Sequence, residues 1–349
     1  MRFLHTTALA IGMTALAAGP ATAQDDDEIA IGVVNLSLCC AYFVGMDKAI
    51  QEEAAVYPNV RVISTDAEGD VARLTANVED LLAQDVDGII ISGAWIEAAP
   101  EALDAIASAG VPSVLVDRML KGGEFTSWIG PDNYAIGVGI GEYIVERLGS
   151  EGVVVVLRGG PADNSIGLAR TEGMLSKVEP AGLTVEMAPD FGGWSVDGGF
   201  TLMEDMLALH PKIDAVFCEN DSMCLGAQKA IADAGRTDEM FLTSVDGEKG
   251  ALVEIMREGS NYGATGLNNS DQIGRAAFHR MMAILAGAQA PKETVLPSPR
   301  EAELLGTTTA MPALLLNRRT VDSADEPIEL VRALYRGDRV AFEAMLVDR

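Results

Sequence analysis

Side chains able to bind a small polar ligand follow the apolar runs of this sequence, each where a run ends. Aromatic residues recur there although they make up only 5% of the chain. Carboxylates, guanidinium groups and amides pair with sugar hydroxyls in fixed directions, and the aliphatic face of a sugar ring packs on an aromatic plane. The recurrence therefore favours an uncharged, polyhydroxylated ligand. These residues are Cys39, Cys40, Tyr42, Phe43, Ser92, Gly93, Trp95, Asp117, Arg118, Asp163, Asn164, Arg170, Phe191, Trp194, Asn220, Asp221 and Asp246.

Each of these residues also has a purely structural interpretation. Asp117 could cap a loop, Asn220 and Asp246 could be turn residues, and Trp194 could belong to the apolar core. Their joint recurrence at the ends of apolar runs shifts the balance toward a binding site.

The elements that must position these side chains alternate between short β-rich runs and helix-length amphipathic segments. Continuous apolar strands separated by helices are typical of parallel sheets covered on both faces. About ten such runs exceed one doubly wound sheet, so we expect two α/β domains with the change near residues 128–137. Ligands bind beyond the carboxyl ends of such strands. The runs are AIGVVNL, VRVISTD, GIIISG, PSVLVD, SWIG, VVVVLRGG, LTVEM, AVFCEN, FLTSVDG and YGATGL.

The first residues have the pattern of an export signal. Arg2 precedes an apolar stretch too short to span a bilayer, and the sequence A-T-A precedes Gln24, so we expect a signal peptide over 1–23. No later stretch is long and apolar enough to cross a membrane. Removing the signal takes the formal net charge from −27 to −28. Such a charge disfavours nucleic acid and anionic membrane surfaces as partners.

Catalytic and cofactor motifs are weak. The glycine-rich GVGIGEY, residues 137–143, does not complete G-x-G-x-x-G and is expected inside a helix. His210 and His279 form no convincing catalytic dyad or metal cluster. We therefore expect no enzyme activity, no cofactor and no metal.

The four cysteines leave three states open in an oxidising compartment. Cys39 and Cys40 are adjacent in SLCCAYF, while Cys218 and Cys224 flank ENDSM. The thiols could be small apolar surface, the adjacent pair could be bridged, or a disulfide could join Cys218 and Cys224. We favour an apolar wall for the adjacent pair.

Several longer segments together resemble the periplasmic sugar-binding proteins of ABC transporters, in the group similar to ribose-binding protein (type I periplasmic binding proteins). The resemblance runs from about Ile29 to Ala286 and implies two doubly wound parallel-sheet domains joined by a three-crossover hinge. The implied domains are 25–131 with 269–306, and 132–268 with 307–349. The segments are VLVDRML, IGPDN, LARTEG, HPKIDAVFCENDSMCLGAQKAIADAG, SVDG and SDQIG.

The resemblance also implies roles for individual residues. Aromatic side chains would stack on the ligand from both domains, while carboxylate, guanidinium and amide groups would bind its hydroxyls. The cysteines at 39 and 40 stand where ribose binders carry polar amides, and Trp95 adds bulk, so ribose itself is disfavoured. The implied ligand-binding residues are Tyr42, Phe43, Trp95, Asp117, Arg118, Arg170, Trp194, Asn220, Asp246 and Asn268.

By this resemblance the chain is a monomeric periplasmic protein that traps a pentose, hexose, sugar alcohol or deoxy sugar. Its partners would be an ABC permease and the associated ATPase. The alternative is a periplasmic sensor that binds a sugar-like signal for a membrane receptor. For the tail, Ser323, Glu326 and Pro327 resemble a helix start, so we expect a final helix packed on the second domain.

Overall fold

A computed structural model describes residues 28–38, 41–92, 96, 99–120, 123–160, 166–296, 313–321 and 327–336. The expected signal segment 1–23 lies outside these residues, and so do Cys39, Cys40 and the candidate Trp95. Asp163 and Asn164 also lie outside them.

The first part of the chain forms alternating strands and helices. The strands are β1 (Ile29–Asn35), β2 (Val60–Asp66), β3 (Gly88–Ser92), β4 (Ser113–Val116) and β5 (Ser127–Pro131). The helices between them are α1 (Ala41–Ala54), α2 (Val71–Ala83) and α3 (Pro100–Ala109).

A second run of alternating elements follows. Its helices are α4 (Asn133–Leu148), α5 (Ile166–Ala181), α6 (Val196–Leu209), α7 (Asp221–Asp233) and α8 (Lys249–Met256). Its strands are β6 (Val153–Arg158), β7 (Thr184–Phe191), β8 (Ala215–Cys218), β9 (Phe241–Asp246) and β10 (Tyr262–Leu267). The chain then continues through α9 (Ser270–Leu285), β11 (Glu293–Leu296), β12 (Ala313–Val321) and β13 (Pro327–Arg336).

These strands make two sheets. The first has the order β13-β12-β11-β5-β4-β3-β1-β2 and the second β10-β9-β8-β6-β7. All pairings among β1 to β11 are parallel. The prediction of two parallel-sheet α/β domains, with the ten apolar runs as strands, is confirmed.

Each sheet is covered on both faces, as its continuous apolar strands require. In β1, Ile31 and Val33 pack under α1 and α9, whereas Ala30 and Val34 pack under α2 and α3. The second sheet repeats the arrangement, with α4 and α5 on one face and α6, α7 and α8 on the other. Successive side chains of a strand point to opposite faces, so one apolar strand contributes to two core clusters.

The chain passes from the first sheet to the second between β5 and α4 and returns between β10 and α9. Residue 306, near which we expected the third crossover, lies outside the described residues, and β11 and β12 on either side of it belong to the same sheet. We keep the domain boundaries at 131 and 268 as a proposal. Within the described residues, none of the helices combines the length and apolar character needed to cross a bilayer.

The prediction of a helix at the tail was wrong for residues 327–336. They form β13, which pairs antiparallel with β12 from Ala313↔Arg336 onward, and β12 meets β11 at Val295↔Ala313. Both strands therefore extend the first sheet instead of covering the second domain. The segment is short enough for its apolar residues to fit a helical or a strand period, and a neighbouring strand decides between them.

Glycines of the GVGIGEY segment allow two helices to approach closely. The segment lies inside α4, as expected. A Cβ at Gly137 would overlap the main-chain carbonyl of Arg170 in α5, and one at Gly141 would lie 2.6 Å from the carbonyl of Met174. A Cβ at Gly139, on the same helix, would meet nothing within 4 Å. The glycines therefore serve helix packing and hold the backbone that carries Arg170.

We predict opposite effects for two alanine substitutions in this helix. Gly137→Ala should lower the free energy of unfolding by about 1–3 kcal/mol, because the added methyl group forces α4 and α5 apart. Gly139→Ala should raise it by up to about 1 kcal/mol, because it only removes backbone freedom from the unfolded chain. Urea unfolding of both variants is the measurement. If both substitutions changed the free energy of unfolding equally, the close approach of α4 and α5 would not limit the side chain at position 137.

Candidate functional site

Three candidate residues have a positive φ angle, which is unusual for residues other than glycine. Asp117, Trp194 and Asp246 have φ angles of 66°, 60° and 132°. Among the described residues only Glu68 and Asp85 also have a positive φ without being glycine. Such conformations are costly for L-residues and tend to cluster at functional sites. Asp117 directly follows β4 and Asp246 ends β9, so both lie at carboxyl ends of strands.

A buried ion pair forms the centre of the second-domain side. Arg170 Nη2 lies 2.9 Å from Asp246 Oδ1, and the two side chains are only 3% and 8% exposed. Arg170 Nε donates to Asn133 Oδ1 at 2.9 Å, and Nη1 donates to the Glu219 carbonyl at 2.6 Å. The guanidinium group is thus held on three sides and presents a fixed geometry.

The Glu219 carboxylate ties together the elements around Arg170. It accepts from the Gly159 N–H after β6 and from the Thr171 hydroxyl in α5, each at 2.7 Å. Sequence reasoning missed Glu219 and Asn133 as site residues. Each stands beside a residue that drew attention, in CEND and PDN, but its partner is distant in the chain.

Asn220 and Trp194 are linked by one hydrogen bond. Asn220 Nδ2 donates to the Trp194 carbonyl at 3.1 Å, while Asn220 Oδ1 accepts from the Met223 N–H at 3.0 Å and caps α7. The Trp194 indole lies against Gly159, where a Cβ would overlap the ring. Asn220, for which we considered a turn role, therefore caps a helix and also holds the loop that carries the aromatic residue.

Asn268 lies just beyond β10, where the chain returns to the first sheet. It is 2% exposed, and its Nδ2 donates to Asp246 Oδ1 at 3.4 Å. Within the described part of the chain its Oδ1 has no hydrogen-bond partner. A buried amide oxygen without a partner is costly in a folded protein, so this atom is well suited to accept from a ligand.

On the first-domain side, the Tyr42 hydroxyl donates to Asp117 Oδ1 at 2.7 Å. Both residues are buried, and Arg118, next in sequence, is 9% exposed. Phe43 meets the Tyr42 ring edge-on with the ring centroids 5.3 Å apart, and it packs on the core of the first sheet. Of the two aromatic residues, Tyr42 makes the polar contact.

The two sides lie close enough to influence each other's ionisation. Burial raises the pKa of Asp246 to about 8, the Arg170 guanidinium opposes the rise, and the Asp117 carboxylate adds to it. Burial, followed by Asp117 and then Asp246, raises the pKa of the Tyr42 phenol, while Arg170 lowers it. Residues from both sheets therefore converge on one site.

A disulfide closes the turn between β8 and α7. It joins Cys218 and Cys224, whose Cα atoms are 5.4 Å apart, as one of the open possibilities allowed. The apolar wall favoured for Cys39 and Cys40 stays a prediction, because both lie outside the described residues. The bridged segment contains Glu219, Asn220 and Asp221. Asp221 is fully buried and accepts from Thr265 at 2.7 Å, Tyr262 at 3.1 Å and the Glu248 N–H at 2.6 Å. Asp221 thus fixes the local structure instead of facing the site.

Comparison with known proteins agrees with the fold. The family model described as the periplasmic binding protein domain matches residues 31–289. The chain belongs to the periplasmic binding protein family. A second model, the UTRA domain, matches residues 283–341. The ribose import binding protein of Bacillus subtilis (strain 168) is 30% identical over 287 residues, which cover 82% of this chain and 91% of that protein.

Solved structures of periplasmic binding proteins give the same result. An ABC transporter solute-binding protein of Bacillus halodurans C-125 with bound myo-inositol is 26% identical, with a TM-score of 0.71 and coverage of 80% of this chain and 98% of that one. The fructose-binding periplasmic domain of a hybrid two-component system is 28% identical, with a TM-score of 0.69 and coverage of 79% and 92%. The predicted resemblance is confirmed, and the chain is a solute-binding protein, not an enzyme.

We predict that Asp246 makes the stability of this periplasmic binding protein depend on pH. Its pKa of about 8 in the folded protein lies above the ordinary aspartate value of about 4. The stabilisation that protonated Asp246 contributes is fully present below about pH 4 and is lost as the pH rises through 8. Between these values the free energy of unfolding should fall by up to about 1.4 kcal/mol per pH unit. Asp246→Asn should flatten this dependence in urea unfolding.

The control for that measurement is Asp233→Asn, which removes an exposed carboxylate paired with Lys229. It should leave the pH dependence between 4 and 8 unchanged. If Asp246→Asn kept the wild-type dependence of unfolding free energy on pH, that dependence would not come from Asp246.

We further predict that the disulfide stabilises the turn carrying Asn220. Replacing Cys218 and Cys224 together by alanine should lower the free energy of unfolding by about 2 kcal/mol, the value expected for so short a closed loop. Dithiothreitol should lower the melting temperature of the wild type to that of the double variant and leave the variant unchanged. A wild-type melting temperature insensitive to the reductant would speak against the bridge.

Proposed function

We propose that this protein captures a monosaccharide or sugar alcohol between two closing domains and delivers it to an ABC importer. The observation that carries the proposal is the convergence of Tyr42 and Asp117 from the first sheet with the buried Arg170–Asp246 pair of the second. Directional polar groups flanked by aromatic residues suit a small molecule with many hydroxyl groups.

The charges at the site favour a neutral ligand. Each domain contributes one carboxyl and one guanidinium group, Asp117 with Arg118 and Asp246 with Arg170, so these four groups carry at most one net positive charge when Asp246 is protonated. A strongly charged ligand would need an unmatched counter-charge in a buried site, which is costly. Sugars and polyols avoid this cost because their hydroxyl groups both donate to carboxylates and accept from guanidinium groups.

The known relatives support the same ligand class. One relative is a ribose import binding protein, and a solved neighbour holds myo-inositol. We do not assign ribose, because by the family resemblance cysteines replace the polar amides at positions 39 and 40. The ligand-binding residues proposed are Tyr42, Phe43, Trp95, Asp117, Arg118, Arg170, Trp194, Asn220, Asp246 and Asn268.

Binding would proceed by domain closure without a chemical step. Each sheet supplies half of the contacts, so the ligand meets both halves only in the closed state and favours that state by its differential affinity. The closed, loaded monomer would then dock on an ABC permease with its ATPase. A cleaved signal over 1–23 would place it in the periplasm.

A second candidate is a periplasmic sensor that hands a sugar-like signal to a membrane receptor. The observation that favours it is the similarity to a fructose-binding domain of a two-component system. Affinity capture with the loaded protein separates the two functions, since a transport component should be retained for import and a receptor kinase for sensing.

The test is ligand binding by the mature protein and two site variants. A thermal-shift screen of pentoses, hexoses and polyols should identify a stabilising ligand, and calorimetry should then give its affinity. Asp117→Ala and Trp194→Ala should each weaken binding by about tenfold or more, because one removes a charged hydrogen-bond partner and the other an aromatic face. Asp205→Ala, an exposed change on α6, should bind like wild type.

Two results would count against the proposal. The proposed function fails if no sugar or polyol stabilises the wild type. The proposed site fails if both site variants keep the wild-type affinity for the ligand found.

A further inference from the structure

The hydroxyl group of Tyr42 is the feature from which we draw a further inference. We propose that it determines ligand specificity: by donating to Asp117 Oδ1 it occupies an acceptor position of the site and selects a ligand that lacks a hydroxyl there. The inference rests on the proposed function and narrows its ligand class toward deoxy sugars or polyols with a missing hydroxyl.

The contact joins two elements that are distant in sequence. Tyr42 lies in the first turn of α1 and Asp117 directly after β4, yet their oxygens are 2.7 Å apart and both residues are buried. Asp117 is held at a φ of 66°, a left-handed conformation that ends the extended path of β4. The backbone conformation and the phenol together fix the position of this carboxylate.

The direction of the hydrogen bond follows from the chemistry of the two groups. An ionised carboxylate only accepts, so the phenol must donate. Burial and the carboxylates of Asp117 and Asp246 raise the pKa of Tyr42, which keeps its proton in place. Asp246 raises the pKa of this phenol from the second-domain side, and Arg170 lowers it.

Comparison with the neighbouring Phe43 distinguishes the role of the Tyr42 hydroxyl from that of its ring. Phe43 presents an aromatic ring in the same helical turn, packed edge-on against Tyr42, and has no polar group. A phenylalanine at position 42 would keep the apolar surface and remove only the oxygen. The oxygen therefore has a role that aromatic packing does not explain.

The hydrogen bond between Tyr42 and Asp117 limits which ligand groups can bind beside this carboxylate. A sugar hydroxyl that approached Asp117 Oδ1 along the lone pair used by the phenol would compete with it, and one of the two groups would then lack a partner in a buried site. Sites that leave a buried polar group unpaired discriminate strongly between analogues that differ by one hydroxyl. A ligand with a C–H group at that place avoids the competition.

The alternative is that Tyr42 only ties α1 to the end of β4. In that case removal of its hydroxyl would lower stability and weaken all ligands in proportion. A specificity role instead predicts a change in the ratio of affinities between a hydroxylated ligand and its deoxy analogue, which a purely structural role does not produce.

The experiment compares wild type, Tyr42→Phe and a control, Tyr57→Phe. Tyr57 is partly exposed and tilted against Phe278, so its substitution removes a phenol hydroxyl outside the site. The probes are D-ribose with 2-deoxy-D-ribose, D-galactose with D-fucose, D-glucose with 2-deoxy-D-glucose, and myo-inositol with its monodeoxy analogues. Calorimetry is run at a temperature where circular dichroism shows all three proteins folded.

We expect wild type and Tyr57→Phe to prefer the deoxy member of the pair that they bind. Tyr42→Phe should shift the affinity ratio toward the hydroxylated member by about tenfold, the effect of one hydrogen bond to a charged group. An unchanged ratio in Tyr42→Phe, with wild-type binding intact, overturns the specificity role and leaves the proposed function standing. If wild type binds none of these probes, the ligand found in the thermal-shift screen and its deoxy analogue replace them, and an unchanged ratio there overturns the specificity role. Failure of that whole screen overturns both.

Discussion

The buried ion pair between Arg170 and Asp246 is the interaction on which the rest of the site depends. Two charges removed from water are stable only when their remaining hydrogen-bonding capacity is met. Asn133 and the Glu219 carbonyl meet it for the guanidinium group, and Asn268 reaches the carboxylate. Loss of any of these partners would leave a charged or polar group unmatched in the interior. The surrounding fold is therefore constrained to hold five residues in one arrangement.

This constraint explains features that have no direct contact with a ligand. Helix α5 can bring Arg170 to Asn133 only because α4 presents glycine where the two backbones meet. The Glu219 carbonyl is held in place because its carboxylate is anchored to Gly159 and Thr171 and its turn is closed by a disulfide. The second-domain half of the site is thus formed in advance, which reduces the entropy lost on binding.

The sequence predicted the ends of strands well and the partners of the site residues poorly. Trp194 and Asp246 were predicted as ligand contacts because each lies near the end of an apolar run, a local signal. Asn133 and Glu219 bond to Arg170 from 37 and 49 residues away, and no local pattern encodes such a pairing. The helix predicted for the tail was wrong for a related reason. Residues 327–336 form β13 by pairing with β12, whereas the apolar residues of a ten-residue segment taken alone fit a helical or a strand period.

A structural role of a strand-end residue does not exclude a place in the proposed site. Asn220 caps α7 with its oxygen and holds the Trp194 loop with its nitrogen. In a parallel α/β domain, helix N-termini with unpaired N–H groups lie at the same sheet edge as the ligand. A polar residue placed there satisfies the backbone first, and the same bond then fixes the loops that face the ligand. Evidence that such a residue is a cap therefore does not count against its place in the site.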